Sequence, residues 1–310
     1  MRGKTAPWRS RLGWVCSLAK MLLIASTLNA TTYSVTIAGL GGEPDYEQRF
    51  SNWAKEFDKN LKAAGSEIKS EALIGADATK ARVRETLERI GRESKATDEL
   101  LVFLIGHGSF DGTEYKINIP GPDISGVELA GMLDRVPGAR QLIVNATSAS
   151  GASVHALQRL NRTVITATKS GTEKNATVFA RYWIEALRDG ASDIDKNEVI
   201  TAFEAFKYAE LKTKQFFETN KRLATEHPTL DGGDQQGQLT AGRFALLRLG
   251  ATQLAAQDPA KRALLDKREK LENQIDQLKF QKAAMPTEEY KKQLQDVLLE
   301  LAKTQAELDK

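Results

Sequence analysis

The chain has 310 residues, 41% of them hydrophobic and 27% charged, enough for one good core and an appendage. It has no low-complexity stretch and no repeat of solenoid period, which excludes a repeat array. Its net charge of +3 belongs to the first thirty residues. Taking their five basic side chains from the total of 44 leaves 39 against 41 acidic, a net charge of −2 that excludes nucleic acid as an implied partner.

Residues 1–30 have the order of a signal peptide. Arg2, Lys4, Arg9 and Arg11 form a basic start, an apolar run interrupted by Lys20 follows, and small Ala30 precedes Thr31. The clean apolar block 21–25 is short for a membrane span, which takes roughly twenty apolar residues. The alternative is an uncleaved anchor, the one way this chain would hold a membrane. The expected location is therefore exported, periplasmic or extracellular. The sole cysteine, Cys16, lies in the same segment, so the mature chain is expected to have no disulfide and no thiol chemistry.

The first predicted strand is the β-rich run 33–38, which stops at Gly39. Tyr46, Phe50, Trp53, Phe57 and Leu61 then recur at steps of three and four, one apolar helix face. A weaker strand covers 68–74, and Val83, Leu87 and Ile90 mark a second helix closed by Gly91. Residues 100–105 are apolar without alternation, the mark of a strand covered on both faces in a parallel sheet. That strand ends in Gly106-His107-Gly108, and a Gly- and Pro-rich excursion of hairpin type follows. Ser125 and Glu128 form a capping box that opens a short helix with Leu129, Met132 and Leu133. The buried strand 142–144 leads through 145–151 to a helix carrying Val154, Leu157 and Leu160. A further strand covers 164–167. Val178, Phe179, Tyr182, Trp183 and Leu187 then make an amphipathic helix.

Strands alternating with helices predict the α/β class, a three-layer α/β/α sandwich with a mainly parallel sheet. In such sheets the loops at the carboxyl ends of the strands build the site, which singles out 106–112 and 145–152. Residues 226–240, rich in Gly, Asp and Gln, read as an exposed loop. From 259 onward there is almost no Gly or aromatic residue. Leu264, Leu271, Ile275 and Leu278 share one face, and Tyr290, Leu294, Val297, Leu301 and Leu308 another. A break at 284–287, with Thr287 as N-cap, makes this a C-terminal α-helical hairpin. The expected division is signal peptide 1–30, α/β domain 31–225, loop and connecting segment 226–254, and helical hairpin or coiled coil 255–310. The hairpin's stripes need a surface: this domain, a second copy through self-association, or another protein.

The two singled-out loops carry a resemblance. An apolar strand ending in His107-Gly108, then about forty residues later an apolar strand leading to Ser150-Gly151, resembles the caspase–legumain superfamily of cysteine peptidases over about residues 32–220. The resemblance implies a caspase-like fold, with His107 matching the catalytic histidine and Gly108 the glycine whose N–H helps hold the oxyanion. Where that family keeps its cysteine, before the Ser-Gly, this chain has Ser148. A serine hydroxyl is far less acidic than a thiol and needs a well-oriented base. The resemblance therefore implies an impaired peptidase, a pseudoenzyme that binds a peptide or protein ligand and requires no cofactor. The alternative is a working Ser148/His107 hydrolase. Thr147, Ser148 and Ser150 read equally well as loop residues bonding local backbone. Gly39 to Glu43, Asp45 and 169–171 follow neighbouring strands and could line the same cleft. His155 reads as a plain helix residue and His227 as a loop residue, with no zinc spacing among the three histidines.

One further motif stands apart. Asp193, Asp195, Asn197, the Val199 carbonyl, Thr201 and Glu204 fit ligand positions 1, 3, 5, 7, 9 and 12 of an EF-hand loop, with Ile200 in the apolar slot. Position 6, where a glycine makes the sharp turn, is Glu198. Calcium is the one candidate metal, in a structural role. The competing reading is an N-capped helix with acidic residues in its first turn.

Overall fold

A computed structural model describes residues 30–65, 67–138, 140–231 and 235–310, so the expected signal segment, with Cys16, lies outside the described residues apart from Ala30. The chain begins with β1 (Thr32–Ala38), α1 (Pro44–Ala64), β2 (Ile68–Ile74), α2 (Lys80–Glu93) and β3 (Glu99–Ile105). Three short strands follow, β4 (Gly108–Phe110), β5 (Tyr115–Ile117) and β6 (Ile124–Ser125), and then α3 (Gly126–Leu133). The alternation resumes with β7 (Arg140–Asn145), α4 (Val154–Leu157), β8 (Arg162–Thr166) and α5 (Phe179–Ala186). Next come β9 (Val199–Thr201), α6 (Ala202–Thr219), β10 (Thr229–Leu230), α7 (Gln235–Gly242), β11 (Ala245–Arg248) and α8 (Gly250–Ala255). The chain ends in α9 (Pro259–Gln281) and α10 (Thr287–Leu308).

The main sheet has the order β10-β8-β7-β3-β1-β2. Five strands are parallel and only β10 runs antiparallel, against β8. Central β3 shows why the sheet is buried on both sides: all seven of its residues are buried. Leu101, Phe103 and Ile105 join the core under α1, α5 and α6. Leu100, Val102 and Leu104 join the core under α2, α3 and α4. The fold is thus a three-layer α/β/α sandwich with a mainly parallel sheet. α1 shows how a layer is laid down. Pro44 starts it, Asp45 and Glu47 suit the positive end of its dipole, and Phe50, Ala54, Phe57 and Leu61 form the buried stripe. Phe57 meets Phe103 edge-on at 4.7 Å, each aromatic side chain contributing about 1.5–3 kcal/mol by leaving water.

Several local expectations need correcting. The second helix does not close at Gly91 but runs to Glu93. That glycine instead lets the helix approach the loop after α3, since a Cβ there would lie 3.2 Å from the Arg135 carbonyl oxygen. The helix after Ser150-Gly151 is one turn long and Leu160 is exposed, because Gln158 turns extended and Arg159 bridges to Arg162 at the start of β8. Residues 226–240 are not a plain loop. Glu226 is buried, β10 pairs with β8, and α7 begins at Gln235. Pro286, not Thr287, occupies the N-cap of α10.

The C-terminal helices form an antiparallel pair, with Lys261 Nζ 3.2 Å from the Leu308 carbonyl and Lys267 paired to Glu300. The buried stripe of α9 includes Leu265, Leu271, Ile275 and Leu278, so its first leucine is Leu265 rather than the expected Leu264. It also contains two arginines that the apolar reading passed over, Arg262 and Arg268. Arg262 pairs with Glu67, and Arg268 Nη2 donates to the Asn197 carbonyl at 2.9 Å. One face of the hairpin is therefore spent on the chain's own α/β domain. Among the described residues, no helix is long and apolar enough to cross a membrane.

Candidate functional site

Strands β3 and β7 are parallel neighbours, with Leu104 opposite Asn145, so the loops that follow them emerge side by side. Gly106 takes φ +145° where its strand meets Gly39, a close approach that a side chain would obstruct. His107 comes next. Its Nε2 lies 3.1 Å from the Gly41 carbonyl oxygen. A carbonyl only accepts, so Nε2 carries the proton and in the neutral ring Nδ1 keeps the lone pair. The ring is held edge-on between Tyr46, at 5.0 Å, and Phe50, at 5.3 Å. Residues 39–43, expected to rim the cleft, thus reach the histidine through Gly41.

The hydroxyl of Ser148 is closed onto Gly108. Its Oγ accepts from the Gly108 N–H at 3.1 Å and donates to the Gly108 carbonyl at 3.1 Å. Ser148 is only 2% exposed. Gly108 leaves no room for a side chain, since a Cβ there would lie 2.7 Å from Thr147 Oγ1 and 2.8 Å from the Tyr115 ring. His107, Gly108 and Ser148 therefore come together at one end of the sheet. Among the described residues, no hydrogen bond joins Ser148 to the His107 ring.

A buried polar network supports this loop pair. Tyr115 Oη lies 2.6 Å from Thr147 Oγ1 and 3.2 Å from Asn145 Oδ1. Asn145 Nδ2 donates to Ser153 Oγ at 3.0 Å, and Ser153 Oγ donates to the Ser150 carbonyl. Ser150 Oγ accepts from the Thr168 N–H at 3.1 Å. Burial pushes the Tyr115 hydroxyl up to about 12, so it stays protonated and serves as a fixed donor. Ala149 takes the left-handed conformation, φ +56°, at the turn into Ser150. Sequence reading missed Tyr115, because its partners lie about thirty residues downstream and nothing local signals the contact.

Beside His107 runs a groove lined by Tyr46, Arg49, Trp53, Arg181, Phe216 and Arg222. Arg49 lies over the Tyr46 ring at 5.0 Å and over the Trp53 ring at 6.0 Å. Among the described residues, none of the three arginines is in an ion pair, so the groove is cationic and aromatic. Glu226 is buried and accepts from the N–H groups of Val178, a groove residue, and Phe179 at the start of α5. Burial pushes its carboxyl up to about 7 in spite of these two donors. His155 is exposed, and the exposed His227 pairs with Glu173, so neither joins His107.

Three of the six residues of the predicted EF-hand loop converge. Ligand oxygens of Asp193, Asp195 and Glu204 lie within 4.8 Å of one another. Glu198 takes the left-handed turn that position 6 demands, at φ +63°, despite being no glycine. Its N–H donates to Asp193 Oδ2 at 3.2 Å. Thr201 and Glu204 form a capping box at the start of α6, the feature of the competing N-cap reading. Burial raises the carboxyl of Glu204, the Thr201 and Ile194 N–H groups oppose the shift, and Asp195 adds to it.

No protein-family model matches the chain, and no curated protein matches it. Among solved structures it is similar to Raptor of Chaetomium thermophilum, with 12% identity and a TM-score of 0.37 over 53% of this chain and 19% of that one. The chain thus spans about a fifth of Raptor's length. It is also similar to a protein of Geobacter sulfurreducens, with 9% identity and a TM-score of 0.43, covering 65% of this chain and 92% of that one. Caspase-1 from Spodoptera frugiperda is a third, with 12% identity and a TM-score of 0.41, covering 65% and 86%.

Proposed function

We propose that the chain is an exported caspase- or legumain-like domain protein with impaired catalysis. It binds a peptide or protein partner in the cleft at the carboxyl end of its sheet. The observation that carries this reading is where the Ser148 proton goes. A serine nucleophile must direct its proton to a base, but here the hydroxyl donates to the Gly108 carbonyl. The Gly108 N–H, which the resemblance assigns to the oxyanion, is filled by Ser148 Oγ. The His107 ring has committed its own proton to Gly41. Export rests on the basic and apolar order of residues 1–30.

The partner's chemistry follows from the groove. Three arginines that have no ion pair among the described residues, beside Tyr46, Trp53 and Phe216, suit an acidic peptide with apolar or aromatic side chains. The second reading, a Ser148/His107 hydrolase, has one observation in its favour: the lone pair on His107 Nδ1 belongs to the same pair of loops as Ser148. A diverse peptide library separates the two. The folded full chain is expected to retain acidic peptides and cleave none. Cleavage that is lost in His107→Ala would refute the impaired-enzyme reading.

A further inference from the structure

The loop from Asp193 to Glu204 has no part in the proposed cleft, and its construction points to a cation. Its carboxylates converge, which alone would not make a site. The independent observation is Asp193: the residue is 6% exposed, its Oδ2 is bonded to the Glu198 N–H, and among the described residues its buried Oδ1 has no hydrogen-bond partner. A buried carboxylate oxygen left unsatisfied is costly, and a metal ion is the group that commonly satisfies one beside other carboxylates.

The missing glycine is explained by the loop's surroundings. Glu198 holds the left-handed turn while its own carboxylate accepts from the Thr252 N–H at 2.8 Å, in the first turn of α8. Its carbonyl accepts from the Leu249 N–H at 2.8 Å. The strand within the loop, β9, pairs antiparallel with β11, the place that a second loop takes in a paired EF-hand. On the outer side, Asn197 is bound twice by the hairpin. Its carbonyl accepts from Arg268 Nη2 at 2.9 Å, and its Nδ2 lies 3.2 Å from Glu272 Oε2. Arg268 is itself buried, 71 residues along the chain from Asn197.

We propose that residues 193–204 form a single EF-hand-type Ca2+ site, braced from outside by the C-terminal hairpin, so that ion binding and hairpin docking strengthen each other. The ligands are the carboxylates of Asp193, Asp195 and Glu204, with oxygens from Asn197, Val199 and Thr201. Asn197 sits in both networks, as a ligand through its side chain and as an anchor for α9 through its carbonyl. Whatever fixes Asn197 from one side lowers the cost of fixing it from the other. With three carboxylates and one loop, the affinity belongs to the range of extracellular modules, about 10⁻⁴–10⁻³ M.

The test is calcium titration of the folded full chain by calorimetry, with terbium luminescence as a second readout and circular dichroism to verify folding. One saturable Ca2+ site per chain is expected, with a weaker response to Mg2+. Asp193→Ala abolishes it. Asp195→Ala, which alters an exposed side chain outside the capping box, weakens it by about ten-fold or more. Arg268→Ala, which changes no ligand, weakens it by a few-fold. The site is overturned if the folded chain shows no saturable binding at millimolar Ca2+, if Asp193→Ala and Asp195→Ala bind like the parent, or if Mg2+ binds as well as Ca2+. The link to the hairpin is overturned if Arg268→Ala binds Ca2+ with the parent's affinity.

Discussion

Replacing Ser148 with alanine separates a serine that holds its loop from one that is poised to attack. The variant removes two hydrogen bonds, both 3.1 Å long and both to the backbone of Gly108. Each such bond contributes about 0.5–1.5 kcal/mol net, so the pair is worth about 1–3 kcal/mol. No large cavity adds to this, because only a hydroxyl leaves. In a domain of this size that amounts to a fall of about 2–10 °C in the melting temperature. The assay is urea unfolding of parent and variant at pH 7, with the midpoint expected to fall and the slope to stay unchanged. A poised nucleophile gives the opposite sign, since removing a group held for chemistry commonly leaves a protein as stable or more so. A Ser148→Ala chain within about 0.5 kcal/mol of its parent, or above it, refutes the holding role.

Gly108→Ala puts a methyl group against the Ser148 carbonyl, Thr147 and Tyr115, and is expected to cost about 1–3 kcal/mol or more in the same urea assay. Glu226 makes stability depend on pH. Its folded pKa of about 7 lies above the unfolded value of about 4.5, so between those values the folded state binds the extra proton and stability falls as pH rises. The share of Glu226 is about 3 kcal/mol across that window. Unfolding midpoints of Glu226→Gln measured from pH 5 to 8 should therefore decline less steeply than the parent's, and parallel curves would refute this assignment.

Much of the fold was legible because burial writes itself into local pattern. The unbroken apolar run at 100–105 announced a strand covered on both faces, and all of β3 is buried. The capping box at Ser125 and Glu128 was readable because both halves lie within one turn. What escaped was decided by contacts distant in sequence. Glu226 looked like a loop residue, yet its carboxylate caps α5 from 47 and 48 positions away. Arg262 and Arg268 lie outside any apolar pattern, and only carboxylates and carbonyls of the α/β domain make their burial tolerable. At the candidate site, residue identity and order located His107, Gly108 and Ser148. That the serine hydroxyl turns to Gly108, and that Tyr115 and Asn145 hold the loop behind it, depends on contacts thirty or more residues apart. Likewise the sequence marked Glu198 as a defect in the EF-hand pattern. Its use in capping α8 depends on Thr252, 54 residues away.

Treatment of the folded chain with a serine-directed fluorophosphonate, followed by mass spectrometry of the peptide containing Ser148, is the most direct measurement of whether this hydroxyl is a nucleophile. A hydroxyl engaged with the Gly108 backbone predicts no adduct at Ser148. A stoichiometric adduct at Ser148 that disappears in His107→Ala would contradict the account.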